Sequence, residues 1–322
     1  MQALVLREKG QPLHYGEWPD PEAASGEVVV QLKAAALNHR DVFITQGLYP
    51  GIETPIILGS DGAGLLDGRE VVLNPSIGWG ADPDIQAKSY RILGLPDHGT
   101  FAQKVALPGT QIYDKPAHLS WEEAAALPLA GLTAYRALFT KGQIKPGQKV
   151  LISGVGGGVA LFAFQFAVAA GAEVYVTSGS EEKLARARQM GAAGGANYKN
   201  PDWGKALKSQ AGAFHLVLDS AGGEGFTTLL KLCAPAARLV TYGGTQGAVP
   251  KFLPQRIFWK QISILGTSMG NDREFADMLK LVKEKKIHPV VDSTYPLAQG
   301  TAAFERMDQG LQFGKIVLQI PA

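Results

Sequence analysis

The chain has a single cysteine, Cys233, among 322 residues. One thiol closes no intrachain disulfide and builds no cysteine-type structural zinc site. It lies in the apolar stretch Leu229-Leu230-Lys231-Leu232-Cys233, where a core filler is expected rather than a nucleophile. Charge of one sign is also scarce. The formal net charge is +2, too small for a surface that holds nucleic acid or membrane by counter-charge. The basic run Lys280, Lys283, Lys285 and Lys286 is interleaved with Asp277 and Glu284, as on a solvated helix face. No apolar run is long enough to span a bilayer. Met1-Gln2-Ala3-Leu4-Val5-Leu6-Arg7 lacks the basic stretch and apolar core of a secretory leader. These absences leave a cytoplasmic enzyme acting on a small molecule as the expectation.

Glycine is plentiful: there are 39, which suits tight turns and backbone-lined sites. Up to about residue 118 the chain reads as short strands between Gly and Pro turns. Glu27 to Lys33, Arg69 to Leu73 and Phe101 to Leu107 predict a compact barrel or sandwich. Ser120 with Glu123 three residues on makes a capping box, and Thr133 to Phe139 continues as helix. From Lys149 onward strands alternate with helices. The strands are Val150–Ser153, Glu173–Thr177, His215–Asp219, Arg238–Tyr242 and Ile262–Leu265. The helices are Val159–Ala170, Glu181–Met190, Gly225–Leu232 and Asp272–Lys285. Such alternation predicts a parallel sheet covered on both faces. The tail ends in a further strand, Lys315 to Ile320, expected to return to the first domain.

The segment Lys149-Val150-Leu151-Ile152-Ser153-Gly154-Val155-Gly156-Gly157-Gly158-Val159-Ala160 carries the clearest chemical signal. A β-branched run ends in glycines and passes straight into an apolar helix. Glycines let the backbone approach a pyrophosphate, and the first N–H groups of the helix face its charge. The spacing departs from the strict dinucleotide fingerprint. Counted from Gly154 the third position is Val159, and the frame Val155/Gly157/Ala160 lacks the first Gly. At the end of the second strand no carboxylate stands ready for the adenosine ribose. Thr177-Ser178-Gly179-Ser180-Glu181-Glu182-Lys183 instead offers Ser178, Ser180 and Lys183 to a 2′-phosphate, with Arg186 further along, so NADP is expected over NAD. Ser180 also reads as an N-cap, with Glu181 and Glu182 favouring the helix dipole.

The ordered motifs Asn38-His39-Arg40-Asp41, Leu58-Gly59-Ser60-Asp61-Gly62-Ala63-Gly64, Leu127-Pro128-Leu129-Ala130-Gly131-Leu132-Thr133-Ala134-Tyr135, the glycine run, Ser180-Glu181-Glu182-Lys183, Met190-Gly191-Ala192 and Gly314-Lys315-Ile316-Val317-Leu318 cover nearly the whole chain. Together they resemble the medium-chain dehydrogenase/reductase superfamily, and within it the zinc-independent, zeta-crystallin-like quinone oxidoreductases. The resemblance implies an α/β protein with a GroES-like β-barrel domain, residues 1–118 and 289–322, and a Rossmann doubly wound parallel sheet, residues 119–288. It further implies NADPH in the cleft between the two and a homodimer through the Rossmann sheet edge. Zinc members carry Cys where this chain has Asn38, and Gly-His-Glu where it has Gly59-Ser60-Asp61. Their third ligand falls near Leu129, so no metal is expected.

Without a Lewis acid, reduction of a quinone or an α,β-unsaturated carbonyl is easier than reduction of a simple ketone. Charge then spreads to a distant oxygen that a few donors can hold. The resemblance puts Asn38 and Tyr49 near the nicotinamide as donors, with Asp41 fixing the loop. Taken by themselves, Asn38 also suits an Asx turn and Tyr49 a packed turn; His39 and His98 are candidate proton carriers that, lacking a partner motif, read first as surface or hydrogen-bonding residues. For the cofactor the expected residues are Ser153, Gly154, Gly156, Gly157, Gly158 and Val159 at the pyrophosphate, and Ser178, Ser180, Lys183 and Tyr198 at the adenosine phosphate. Thr133 is expected at the nicotinamide ribose, and Gly243, Gly244, Thr245, Gly266, Thr267 and Ser268 at strand ends. A metal-independent alcohol or aldehyde oxidoreductase and a low-turnover nucleotide-binding scaffold stay open as alternatives. The pocket-building stretches Ile77 to His98 and Gly247 to Phe258 leave the substrate unspecified.

Overall fold

The computed structural model describes residues 1–321. The chain divides into two compact units, Met1–Leu132 with Met269–Ala322, and Thr133–Ser268. The helices Trp121–Ala126 and Asp272–Lys285, which lie within the range 119–288 that the resemblance implies for the Rossmann domain, fall in the first unit.

The first unit is built on antiparallel strands. Strand Glu27–Ala36 is its longest, and its alternating buried residues serve neighbours on both sides. Asp61–Leu66 pairs with it antiparallel, Lys104–Pro108 pairs with its first half, and Lys315–Gln319 pairs with Ala34, Ala35 and Ala36. The small residues at this crowded junction are a steric requirement. A Cβ on Gly64 would lie 2.1 Å from the Gln31 carbonyl oxygen, so only glycine lets these two backbones meet. Arg69–Leu73 and Ile112–Asp114 extend the same sheet, and Gln2–Leu6 pairs with His14–Glu17 and Ile56–Ile57 in a second one. Leu4, Leu6, Leu32, Leu37, Phe101 and Ile316 are among the side chains that fill the core. The strand expected over Phe101 to Leu107 begins only at Lys104, because Phe101 is spent on the core and Ala102 makes only an isolated bridge to Ala3. The Ser120–Glu123 capping box forms as predicted: Glu123 N donates to Ser120 Oγ at 3.2 Å and Ser120 N to Glu123 Oε2 at 2.9 Å.

The second unit holds six strands, every neighbouring pair parallel, with spatial order Gly194–Asn197, Glu173–Ser178, Lys149–Ile152, Phe214–Asp219, Cys233–Thr241, Ser263–Gly266. Numbered along the chain this is 3-2-1-4-5-6, the doubly wound dinucleotide-binding order. Strands one and four are neighbours whose connections depart in opposite directions, which opens a crevice beyond their carboxyl ends. Helix Gly158–Ala169 buries Leu161, Phe162, Phe164 and Phe166, so it is apolar on nearly every side, as a helix enclosed on several faces requires. Helix Trp203–Ala211, absent from the sequence expectation, covers the sheet beside Gly194–Asn197. Helix Pro128–Tyr135 runs into a π-helical stretch, Arg136–Lys141, instead of continuing as regular helix to Phe139. Among the described residues no helix is long and apolar enough to cross a membrane.

Candidate functional site

In the second unit the glycine run makes the tight strand-to-helix turn that its composition predicts. After strand Lys149–Ile152 the backbone turns through Gly154 and Gly156, at φ +71° and +124°, values that side-chain-bearing residues rarely adopt. Val155 is buried, and its N–H donates to the Thr177 carbonyl at 2.7 Å, tying the loop to the neighbouring strand. Gly157 is the N-cap of helix Gly158–Ala169, so Gly158 and Val159 form its first turn, whose N–H groups have no partner within the helix. A Cβ on Gly154 would meet only Ser220 Oγ, at 4.0 Å. The turn is therefore a bare-backbone cradle at the crevice.

Ser153 and Asp219 stand at the ends of the two strands where that crevice opens. Ser153 Oγ donates to Asp219 Oδ1 at 2.7 Å, and Gly222 N donates to Asp219 Oδ2 at 2.8 Å. The Ser153 hydroxyl is thus engaged in fastening strand ends. The loop after strand Glu173–Ser178 brings together what the sequence places in separate segments. Ser178 Oγ accepts from Ser180 N, and Ser180 Oγ accepts from Lys183 N, each at 3.3 Å. The aliphatic stem of Lys183 lies over the glycine turn; a Cβ on Gly156 would sit 2.9 Å from its Cδ. Gly179 is enclosed by Tyr198 and Lys199, whose hydroxyl and Cε lie 2.8 and 3.0 Å from its would-be Cβ. Lys199 joins the expected set here, unannounced by any motif. Gly243, Gly244 and Thr245 are exposed after strand Cys233–Thr241, and a Cβ at Gly243 would lie 2.7 Å from the Ser220 carbonyl oxygen. Gly266 ends strand Ser263–Gly266 and is followed by Thr267, whose N–H donates to the Thr241 carbonyl at 3.0 Å, and by exposed Ser268. Thr133 is buried in helix Pro128–Tyr135.

In the first unit two of the expected catalytic residues, Asn38 and Asp41, lie beside a buried ion pair. Asp61 is fully buried, and its Oδ2 accepts from Lys315 Nζ and from Asn38 Nδ2, both at 2.9 Å. Its Oδ1 accepts from Leu129 N at 2.8 Å, satisfying a donor of the first turn of helix Pro128–Tyr135. Lys315 Nζ also donates to Asn38 Oδ1 at 2.6 Å. The Asn38 amide is held at both ends and keeps one N–H beyond these contacts.

Asp41 caps the same loop, its Oδ2 accepting from Asn38 N at 2.8 Å. Its other oxygen is buried without a hydrogen bond, and burial pushes its carboxyl up to about 6, partly opposed by the Arg40 charge. Arg40 Nη1 donates to Ser60 Oγ at 2.7 Å and to the Leu93 carbonyl at 3.0 Å, and its guanidinium lies 5.3 Å above the ring of Tyr49. Tyr49 is half-buried and packs against the core. Tyr90 interacts electrostatically with both Arg40 and Tyr49; burial raises its phenol to about 12. His98 serves as a hydrogen-bond acceptor, its Nδ1 taking the Ile57 N–H at 3.2 Å. Among the described residues no cluster of three or more His, Cys, Asp or Glu could hold a metal.

Comparison with known proteins accounts for this arrangement. Residues 24–117 match the alcohol dehydrogenase GroES-like domain and residues 158–284 the zinc-binding dehydrogenase family. A zinc-type alcohol dehydrogenase-like protein, YogA, of Leptosphaeria maculans is 37% identical over 96% of this chain and 95% of its own. The chain belongs to the medium-chain dehydrogenase/reductase family. A crystal structure of an NAD-dependent alcohol dehydrogenase superposes with a TM-score of 0.94 at 36% identity, covering 100% of both chains. The quinone oxidoreductase of Thermus thermophilus, solved also with NADPH, gives a TM-score of 0.83 at 31% identity, covering 99% of this chain and 100% of that one. The protein is an oxidoreductase with a GroES-like domain and a Rossmann domain.

The Asp61–Lys315 pair yields a stability test. Lys315→Met would leave Asp61 charged and buried without its cation, at a cost of about 3–5 kcal/mol in chemical denaturation. The double variant Asp61→Asn/Lys315→Met should recover much of that loss, because an amide still accepts from Leu129 N. Asp41 gives a pH test. Its carboxyl titrates higher in the folded chain, about 6, than the ordinary 3.8. The unfolded chain therefore ionises first as pH rises, and stability declines between pH 4 and 6 by on the order of 2–3 kcal/mol. Asp41→Asn should remove that decline from the pH profile of the denaturation midpoint while keeping an acceptor for Asn38 N.

Proposed function

We propose that the protein is an NADPH-dependent reductase of the zeta-crystallin-like quinone oxidoreductase branch, passing a hydride to a quinone or an α,β-unsaturated carbonyl without a metal. The observation that carries this reading is the Lys315 ammonium 2.6 Å from Asn38 Oδ1. Zinc members hold their ion with a Cys at the Asn38 position. Here the position bears a neutral amide whose oxygen is already bound to a fixed cation, and the Ser60 hydroxyl, in the place of the ligating His, is bound to another, Arg40. A dication would meet two positive charges and no thiolate or imidazole, so the residues present do not fit zinc.

The ribose loop fits a phosphate. Ser178, Ser180, Lys183, Tyr198 and Lys199 offer hydroxyls and two ammonium groups around Gly179 and Gly156, with no carboxylate at the strand end. These residues would hold the adenosine 2′-phosphate, and the cradle Gly154 to Val159 the pyrophosphate. When bound, the reduced nicotinamide supplies the hydride. The remaining N–H of Asn38 and the hydroxyl of Tyr49 are then donors available to the acceptor's oxygen. The likeness to an NAD-dependent alcohol dehydrogenase supports a second reading, a metal-independent alcohol or aldehyde oxidoreductase using NAD. The sheet edge Ser263–Gly266, with exposed Phe258 and Trp259 just before it, suits a homodimer.

Following NADPH oxidation with quinones, enones, aldehydes and ketones, with and without a chelator, separates these readings. Turnover of quinones or enones that survives the chelator is expected. Loss on chelation, or preferential alcohol oxidation with NAD, would overturn the proposal. Lys183→Ala should narrow the preference for NADPH over NADH by about tenfold or more, the scale of one charge-assisted contact; an unchanged ratio removes Lys183 from the phosphate site. Light scattering should give twice the chain mass, and Trp259→Glu should shift it toward the monomer.

A further inference from the structure

We propose that Arg40 is the group that takes up the negative charge formed on the acceptor's oxygen during reduction; this rests on the reductase reading above. An arginine carries five N–H donors, and a structural one usually spends its fork on a carboxylate. Arg40 does not. Only Nη1 is engaged, and its partners, Ser60 Oγ and the Leu93 carbonyl, are neutral. Asp41 acts on it electrostatically but gives its hydrogen-bonding oxygen to Asn38 N instead. Nε is buried with no hydrogen-bond partner, and Nη2 has none either. Nε–H and Nη2–H lie on the same edge of the guanidinium and point the same way, so one whole fork is unspent. Such a fork fits an oxyanion.

The surroundings fit a flat acceptor. The Tyr49 ring supports one face of the guanidinium, 5.3 Å from its centre, and Tyr90 lies in electrostatic range of both. Tyr90 in turn meets Trp79 edge to face, with ring centroids 5.4 Å apart. Hydride addition forms a C–H bond at the electrophilic carbon. The π pair it displaces passes through the conjugated system, the acceptor's C=O becomes C–O⁻, and the nicotinamide is left oxidised. Arg40 holds that oxyanion until one proton from water neutralises it. A permanent cation aimed at charge that exists only after transfer lowers the barrier without tightening ground-state binding.

Two measurements test this. Arg40→Gln should lower kcat on a quinone or enone about 100-fold with KM changed less than threefold, and Arg40→Lys, which keeps the charge but loses the fork, should fall between. In the protein without nucleotide, p-nitrophenol serves as an oxyanion probe. Its absorbance should show it bound as the phenolate at a pH where the free dye is mostly neutral, and Arg40→Gln should abolish that shift. The probe needs no turnover, and native circular dichroism would show the variant folded. A kcat for Arg40→Gln within threefold of the parent overturns the assignment, as does nitrophenol that titrates alike in both proteins. If the parent reduces no acceptor at all, the reductase reading fails, and the nitrophenol titration still decides whether Arg40 binds an oxyanion.

Discussion

The first unit depends on one buried carboxylate. Asp61 begins strand Asp61–Leu66 with no exposure, and an ionised group there is tolerated only because three donors converge on it. They come from distant parts of the chain: Lys315 lies 254 residues along and Leu129 lies 68. Fixing Asp61 therefore fixes the tail strand, the entry to helix Pro128–Tyr135 and the loop at Asn38 against one another. The positions of Asn38, Asp41 and Arg40 follow from it, since all three sit on the short segment that Asn38 begins. A buried pair of this kind is weak support for stability by itself, and its value lies in specifying which segments meet.

The second unit uses the same device without a buried cation. Asp219 bonds the Ser153 hydroxyl and the Gly222 N–H, and its own carbonyl accepts from Tyr242 N. Three strand ends are thereby held in register where the doubly wound order opens its crevice. With those ends fixed, the glycine turn can leave its backbone uncovered. The departure from the strict fingerprint loses little by this. The positions that need positive φ, Gly154 and Gly156, are glycines, and Val155 packs inward as an anchor.

Local chemistry in this chain is legible from sequence and tertiary chemistry is not. The glycine turn, the Ser120–Glu123 box and helix Asp272–Lys285 follow from patterns within a few residues, and the structure has them. Helix Trp203–Ala211 escapes the pattern because its surroundings carry Gly, Pro and Asn punctuation that reads as loop. Strand Phe101 to Leu107 reads too long because alternation does not reveal that Phe101 serves the core. At the site, Asn38, Tyr49 and Asp41 are visible within their motifs. Arg40 is visible only as a letter between them, because what marks it is the lack of a carboxylate hydrogen-bonded to it in space. Lys315 and Lys199 are likewise significant only through partners far along the chain or folded back upon it.

The two cations of the first unit divide their work by what surrounds them. Lys315 is enclosed, and its charge is consumed by Asp61, so it orients the Asn38 amide but has little field left for a ligand. Arg40 is half-buried, and its partners are uncharged oxygens and an aromatic face, which position it without neutralising it. Asp41 feels that charge, which opposes the effect of its own burial, yet it takes none of Arg40's N–H groups. A metal site would place its charge at a point and activate a simple alcohol or carbonyl directly. A spread guanidinium held beside aromatic rings is better matched to an oxygen at the far end of a conjugated system. The substrate class proposed for this protein thus rests on the guanidinium fork left unspent at Arg40, as well as on the zinc ligands the chain lacks.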